Sequence, residues 1–347
     1  PAFDLYGGMP EGGTYFVDGV EATVFDPVLA GTYLIEYVYT DMNGCTASAS
    51  TELVVNPLPD VTIMAYEPVC EGSPAFDLYG GLPEGGTYFV DGVEATVFDP
   101  VMAGTYLIEY VYTDMNGCTN SASTELVVNP LPVVTCPDDM MVCADAEPFM
   151  LEGAMPEGGV YAGVGVVDGM FYPATAGVGT FGITYTYTDM NGCVNECMFM
   201  ITVNPLPDVT LVAYEPVCEG SPAFDLYGGL PEGGTYFVDG VEAVMFDPVM
   251  AGTYLIEYVY TDMNGCTNSA ATELVVNPLP VVTCPDDMMV CADADPFMLE
   301  GAMPEGGVYA GTGVVDGMFY PATAGVGTFE ITYTYTDMNG CVNECMF

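Results

Sequence analysis

The 347-residue chain has no Lys, Arg, His or Trp, against 49 Asp and Glu, for a formal charge of −49. Gln is absent as well. Each absence removes a class of chemistry. Without imidazole there is no Ser-His-Asp or Cys-His pair and no His metal ligand. Without lysine there is no Schiff base, and without arginine no bidentate clamp for phosphate. Nothing here can displace counterions from a phosphate backbone, which excludes nucleic acid as a partner. A C-x-x-C-H haem attachment also needs the missing His. Long apolar runs are lacking too: no stretch approaches the ~18 residues of a membrane span. No basic region precedes an apolar one, as a signal peptide requires, and the chain reads as a window on a longer array.

What is present argues against disorder. Hydrophobic residues make up 51 %, mean hydropathy is +0.36, and there are 25 Tyr and 17 Phe. Acidic disordered chains are poor in these residues, so the chain has material for packed cores.

The string Asn-Pro-Leu-Pro begins at Asn56, Asn129, Asn204 and Asn277, about 73 to 75 residues apart. Two repeat types alternate. One contains Cys-Glu-Gly-Ser-Pro-Ala-Phe-Asp-Leu-Tyr-Gly-Gly from Cys70 and Cys218, the other Val-Val-Thr-Cys-Pro-Asp-Asp-Met-Met-Val-Cys ending at Cys143 and Cys291. Five copies result, at 1–57, 58–130, 131–205, 206–278 and 279–347, the first lacking its opening strand and the last stopping within its final one. In the second copy Val61–Tyr66, Ala75–Tyr79, Gly86–Val90, Val93–Phe98, Thr105–Thr113 and Thr119–Val128 read as strands rich in β-branched and aromatic residues. Asp91–Gly92 suits a two-residue hairpin, and Asn116–Gly117 a longer one. No segment has a 3.6-residue period. The predicted fold is all-β: a tandem array of small Ig-like β-sandwich domains, disulfide-stapled and arranged end to end.

The 13 cysteines fall as one, two, four, two and four over the five copies. Pairing inside each copy gives Cys70–Cys118, Cys143–Cys193, Cys218–Cys266 and Cys291–Cys341, with Cys136–Cys197 and Cys284–Cys345 as additional pairs. Only Cys45 is left over, its partner preceding Pro1. Closing a loop of roughly 48 residues contributes about 4 kcal/mol, which matters for a domain too small to build a large core. Disulfides place the chain in an oxidising, extracellular or cell-surface setting. A metal site built from these cysteines is the weaker reading, because the Cys193–Cys197 spacing stands alone.

Pro130–Pro137, with Gly179–Phe181 leading through Ile183–Asp189 into Asn191–Cys193, resembles the PKD-like and hyalin-repeat-like Ig modules of giant Bacteroidetes cell-surface proteins. The resemblance covers the whole chain. It implies non-enzymatic extracellular stalks, filaments and adhesins, often exported by the type IX route. The chain departs from the family in lacking every basic residue and in carrying Met at positions such as Met198 and Met200.

Candidate sites are few. Asp-Met-Asn-Gly starts at Asp41, Asp114, Asp189, Asp262 and Asp337. Its Asp-x-Asn-Gly core is like the opening of a calcium loop, with Asp114 and Asn116 as ligands, but a Cys follows where an acidic ligand is needed, so a hairpin turn is the better reading. Calcium also has candidate ligands near the linkers in Asp138, Asp139, Asp286 and Asp287, where it would relieve repulsion between carboxylates. No other cofactor is expected. Glu11, Glu84, Glu157, Glu232 and Glu305, in Pro-Glu-Gly-Gly turns, read as solvated turn residues rather than as a glycosidase pair.

Period-two alternation puts Tyr106, Ile108, Tyr110 and Tyr112 on one face as core, leaving Leu107, Glu109 and Val111 on the other. Phe199, Ile201 and Val203 likewise face inward, and Met198 and Met200 outward. An outward face with Leu107, Val111, Met198 and Met200 is a candidate lateral contact surface, or else a scatter of ordinary exposed apolar residues. The two prolines of Asn129–Pro132 favour a semi-rigid joint, with the Met of each Asp-Met-Asn-Gly turn packed near it. At roughly 33 Å per ten-residue strand, five domains end to end would make a rod well over 100 Å long. The expected role is a fibre, stalk or adhesin filament whose partners are other copies of itself or surface ligands. The alternative is a calcium- or carbohydrate-binding adhesion module.

Overall fold

A computed structural model describes residues Pro1–Phe347. The second repeat shows how the sequence becomes a sandwich. Its strands are β1 (Val69–Cys70), β2 (Phe76–Asp77), β3 (Thr87–Val90), β4 (Val93–Glu94), β5 (Val97–Phe98), β6 (Gly104–Thr113) and β7 (Thr119–Asn129). One sheet runs β4-β3-β6-β7-β1 and the other pairs β5 with β2. A first strand lying parallel to the last, on a sheet that continues into the two strands of the central hairpin, is the pattern of an Ig-like sandwich. Asp91 and Gly92 both take positive φ, 46° and 81°, as a type I′ hairpin turn requires. Asp91 also accepts a hydrogen bond from the Leu107 amide on Oδ1 at 2.9 Å, tying this turn to β6.

The core lies where the alternation puts it. Ile108, Tyr110, Leu126 and Val128 are fully buried, and Tyr66, Leu78 and Phe98 close the opposite layer. In the third repeat Phe199, Ile201 and Val203 point inward as expected. Two sequence expectations change. Val61–Tyr66 forms only an isolated bridge, Thr62 to Leu82, because Val61 and Tyr66 act as buried anchors instead of sheet members. Val93–Phe98 is two strands: it leaves the β3 edge after Glu94 and joins β2 from Val97.

Each Pro-Glu-Gly-Gly turn is held by a tyrosine from the long hairpin. The Tyr110 hydroxyl donates to the Pro83 carbonyl and accepts from the Gly86 amide, both at 2.6 Å. A Cβ on Gly81 would sit 2.5 Å from the Tyr110 ring, and one on Gly86 2.5 Å from the Val111 carbonyl, so this close approach needs glycine at both places. The fourth repeat has the same sheet order, and the third and fifth add a one-turn helix, Pro173–Ala176 and Pro321–Ala324.

The chain forms two compact units. One holds Pro1–Cys136, Gly153–Val160 and Thr184–Cys197; the other holds Pro137–Glu152, Tyr161–Ile183 and Met198–Phe347. The border passes through the third repeat, whose turn-bearing end belongs with the second repeat. The disulfides explain this.

Candidate functional site at the repeat junctions

Strand β1 is the element that sequence reading missed, and it decides the cysteine pairing. It pairs in parallel with β7, Val69 opposite Val128 and Cys70 opposite Asn129. Cys118 stands at the other end of β7, immediately before Thr119. Ten residues of strand separate the two positions by roughly 33 Å, whereas a disulfide needs Cα atoms within about 7 Å. Cys70 and Cys118 therefore cannot be joined. The same register holds in the third and fourth repeats, where Cys143 lies opposite Asn204 and Cys218 opposite Asn277.

The staples cross between repeats instead. Cys70 bonds Cys193, Cys143 bonds Cys266, and Cys218 bonds Cys341, each with Cα atoms 5.5 Å apart and a sequence separation of 123. This overturns the four expected pairs Cys70–Cys118, Cys143–Cys193, Cys218–Cys266 and Cys291–Cys341. Cys118 and Cys291 join Cys45 as free thiols. The second expected set, Cys136–Cys197 and Cys284–Cys345, forms as expected within single repeats.

Two further contacts build each junction. The Asp-Met-Asn-Gly turn is closed by its own aspartate: Asp114 Oδ1 accepts from the amides of Asn116 and Cys118 at 2.8 Å, and Gly117 N donates to the Asp114 carbonyl at 3.0 Å. These donors, led by the Cys118 amide, hold the Asp114 carboxyl below its ordinary value, and the same holds for Asp41 and Asp262. Two residues past the cysteine, an asparagine reaches back to the proline linker. Asn120 Nδ2 donates to the Pro59 carbonyl, Asn195 to Pro132 and Asn268 to Pro207, all at 2.9 Å, and Asn343 to Pro280 at 2.8 Å. The first repeat has Ala47 at this position. Sequence reading passed over these asparagines, although their constant offset after Cys in four copies was a usable signal.

The expected ligand sets do not converge. No three acidic or cysteine side chains come together as a metal site. Asp114 and Asn116 are engaged with each other in the turn, and Asp139 Oδ1 accepts from the Met200 amide at 2.8 Å. Asp138, Asp286 and Asp287 join no such cluster. The five turn glutamates are exposed. Met115 and its equivalents, expected at the joint, are 97–99 % exposed at the turn tips. On the outward face Leu107 and Met198 are exposed and Val111 and Met200 half-buried. Met198 and Met200 lie over Gly182, and Leu107 and Val111 stand across from Glu125 and Ser121 on β7. No helix is long and apolar enough to cross a membrane.

No protein-family profile and no curated protein matches the chain. Among solved structures it is similar to a Ca2+-stabilised adhesin that helps an Antarctic bacterium reach out and bind ice, at 14 % identity over 80 % of this chain and 93 % of that one, with a TM-score of 0.33. It is also similar to immunoglobulin domains 1–4 of Sidekick-1, at 15 % identity over 80 % of this chain and 94 % of that one, TM-score 0.23. The insect immune protein hemolin matches at 12 % identity over 84 % of this chain and 98 % of that one, TM-score 0.22.

Proposed function

We propose that this chain is a non-enzymatic structural repeat region of an extracellular fibre, stalk or adhesin filament, in which the domains provide reach and the junctions provide stiffness. The observation that carries the reading is the junction itself. From the second repeat onward, successive repeats are joined by a proline linker, an asparagine bond to that linker and a disulfide that bypasses it, three devices that limit bending. A catalytic role finds no support in the site chemistry, since the acids lie apart in exposed turns. Disulfides between repeats survive only in an oxidising compartment, which fits the outside of a cell.

Leu107, Val111, Met198 and Met200 belong to this proposal as a secondary contact face with other copies. Glu109 and Glu125 interrupt that face, so the like charge of two chains opposes close lateral packing at low ionic strength. A single thread is the favoured form. Electron microscopy of the oxidised protein tests the reading. Slender particles with one bead per repeat support it, thick bundles would move the function to lateral assembly, and compact particles without axial order would refute both.

A further inference from the structure

The pairing pattern has a mechanical consequence. The three inter-repeat disulfides close rings over residues 70–193, 143–266 and 218–341. Each ring overlaps the next, so every residue between Cys70 and Cys341 lies inside at least one of them. We infer that the chain carries tension through a short covalent bypass that shields the folded domains from being pulled open. Force arriving at Cys70 crosses through sulfur to Cys193, follows the backbone to Cys218, and crosses through sulfur to Cys341.

Only about 25 residues of backbone lie on this path, against roughly 270 along the full chain between the same cysteines, or about 90 Å of contour against about 950 Å. The short path also has little slack. Its first part is the continuous strand Val194–Asn204, and a strand at ~3.3 Å per residue is already near full extension. The proline-rich linker from Pro205 to Pro207 follows, with restricted backbone freedom. The long strands that carry Ile108 and Leu126, and Ile256 and Leu274, lie off this path, so tension does not peel them, while Tyr66 and Tyr214, which close the same two cores, stand before Cys70 and on the Cys193–Cys218 stretch.

The connectivity is what matters. Had the staples been Cys70–Cys118 and its equivalents, with Cys136–Cys197 and Cys284–Cys345 kept, roughly 60 residues would remain in the shortest path, about 210 Å. Staples within domains would protect each domain and leave every joint in the line of force. Staples between domains take two of the three joints between Cys70 and Cys341 out of it.

Pulling the full oxidised chain from its two termini in an optical trap tests this. About 75 residues, those before Cys70 and after Cys341, lie outside the rings and can be drawn out for about 260 Å in any redox state. The oxidised chain is expected to stop there. Adding a phosphine reductant to the same tethered molecules should release a further ~860 Å as the domains open. An oxidised chain that yields about 120 Å or more beyond the first limit would overturn the bypass, as would a reduced chain that lengthens no further than the oxidised one.

Discussion

Replacing Tyr110 by Phe tests whether the tyrosine clamp on the Pro-Glu-Gly-Gly turn is a main source of domain stability. The substitution keeps the ring, which packs within a few ångströms of Gly81 and Gly86, and removes only the hydroxyl. That hydroxyl donates to the Pro83 carbonyl and accepts from the Gly86 amide, both at 2.6 Å. Pro83 is exposed and its carbonyl can turn to water, but Gly86 is half-buried and its amide keeps no partner. Two lost hydrogen bonds at about 1 kcal/mol each, plus part of the cost of an unpaired buried donor, give about 2–3 kcal/mol. For a domain of this size that lowers the melting temperature by about 10–20 °C. Calorimetry of the oxidised full chain should show one transition moving below the others, because each domain melts around its own core. Tyr112→Phe, on the same strand with no hydroxyl bond to lose, should change stability by less than about 0.5 kcal/mol. If Tyr110→Phe shifts no transition by more than the Tyr112 control, the clamp is not holding the turn and the reasoning fails.

Three other predictions rest on the junctions. Alkylation of the unreduced protein, followed by digestion at acidic residues and mass spectrometry, should label Cys45, Cys118 and Cys291 and leave Cys193, Cys266 and Cys341 protected, with half-buried Cys118 the slowest; labelling of Cys45 alone, with Cys118 and Cys291 protected, would restore the intra-domain pairing. Because the Asp114 carboxyl is held below its ordinary value of 3.8, its contribution to the turn is complete above that value and is lost as pH falls through the lower folded one. Hydrogen exchange at the Cys118 amide should therefore accelerate in acid beyond the intrinsic rate, and Asp114→Asn should remove most of that extra dependence. A chelator should leave the melting temperature within about 1 °C, since no acidic cluster forms a cation site; a drop of several degrees would revive the calcium reading.

The sequence by itself determined the local structure. Period-two alternation along Thr105–Thr113 decided which side chains face the core, and Asp91–Gly92 decided a turn with two positive φ values, because both effects act between residues close in the chain. The repeat spacing and the proline linkers were legible for the same reason, as were the Cys136–Cys197 and Cys284–Cys345 pairs. Only the tertiary structure decided where the remaining cysteines go. A two-residue strand such as Val69–Cys70 carries no periodic signal, yet its parallel register with β7 puts Cys70 a full strand length from Cys118. Counting thiols pointed the wrong way, because pairing within each repeat leaves one cysteine over and pairing across junctions leaves three. A disulfide obeys distance in three dimensions, and the polarity of one short strand sets that distance.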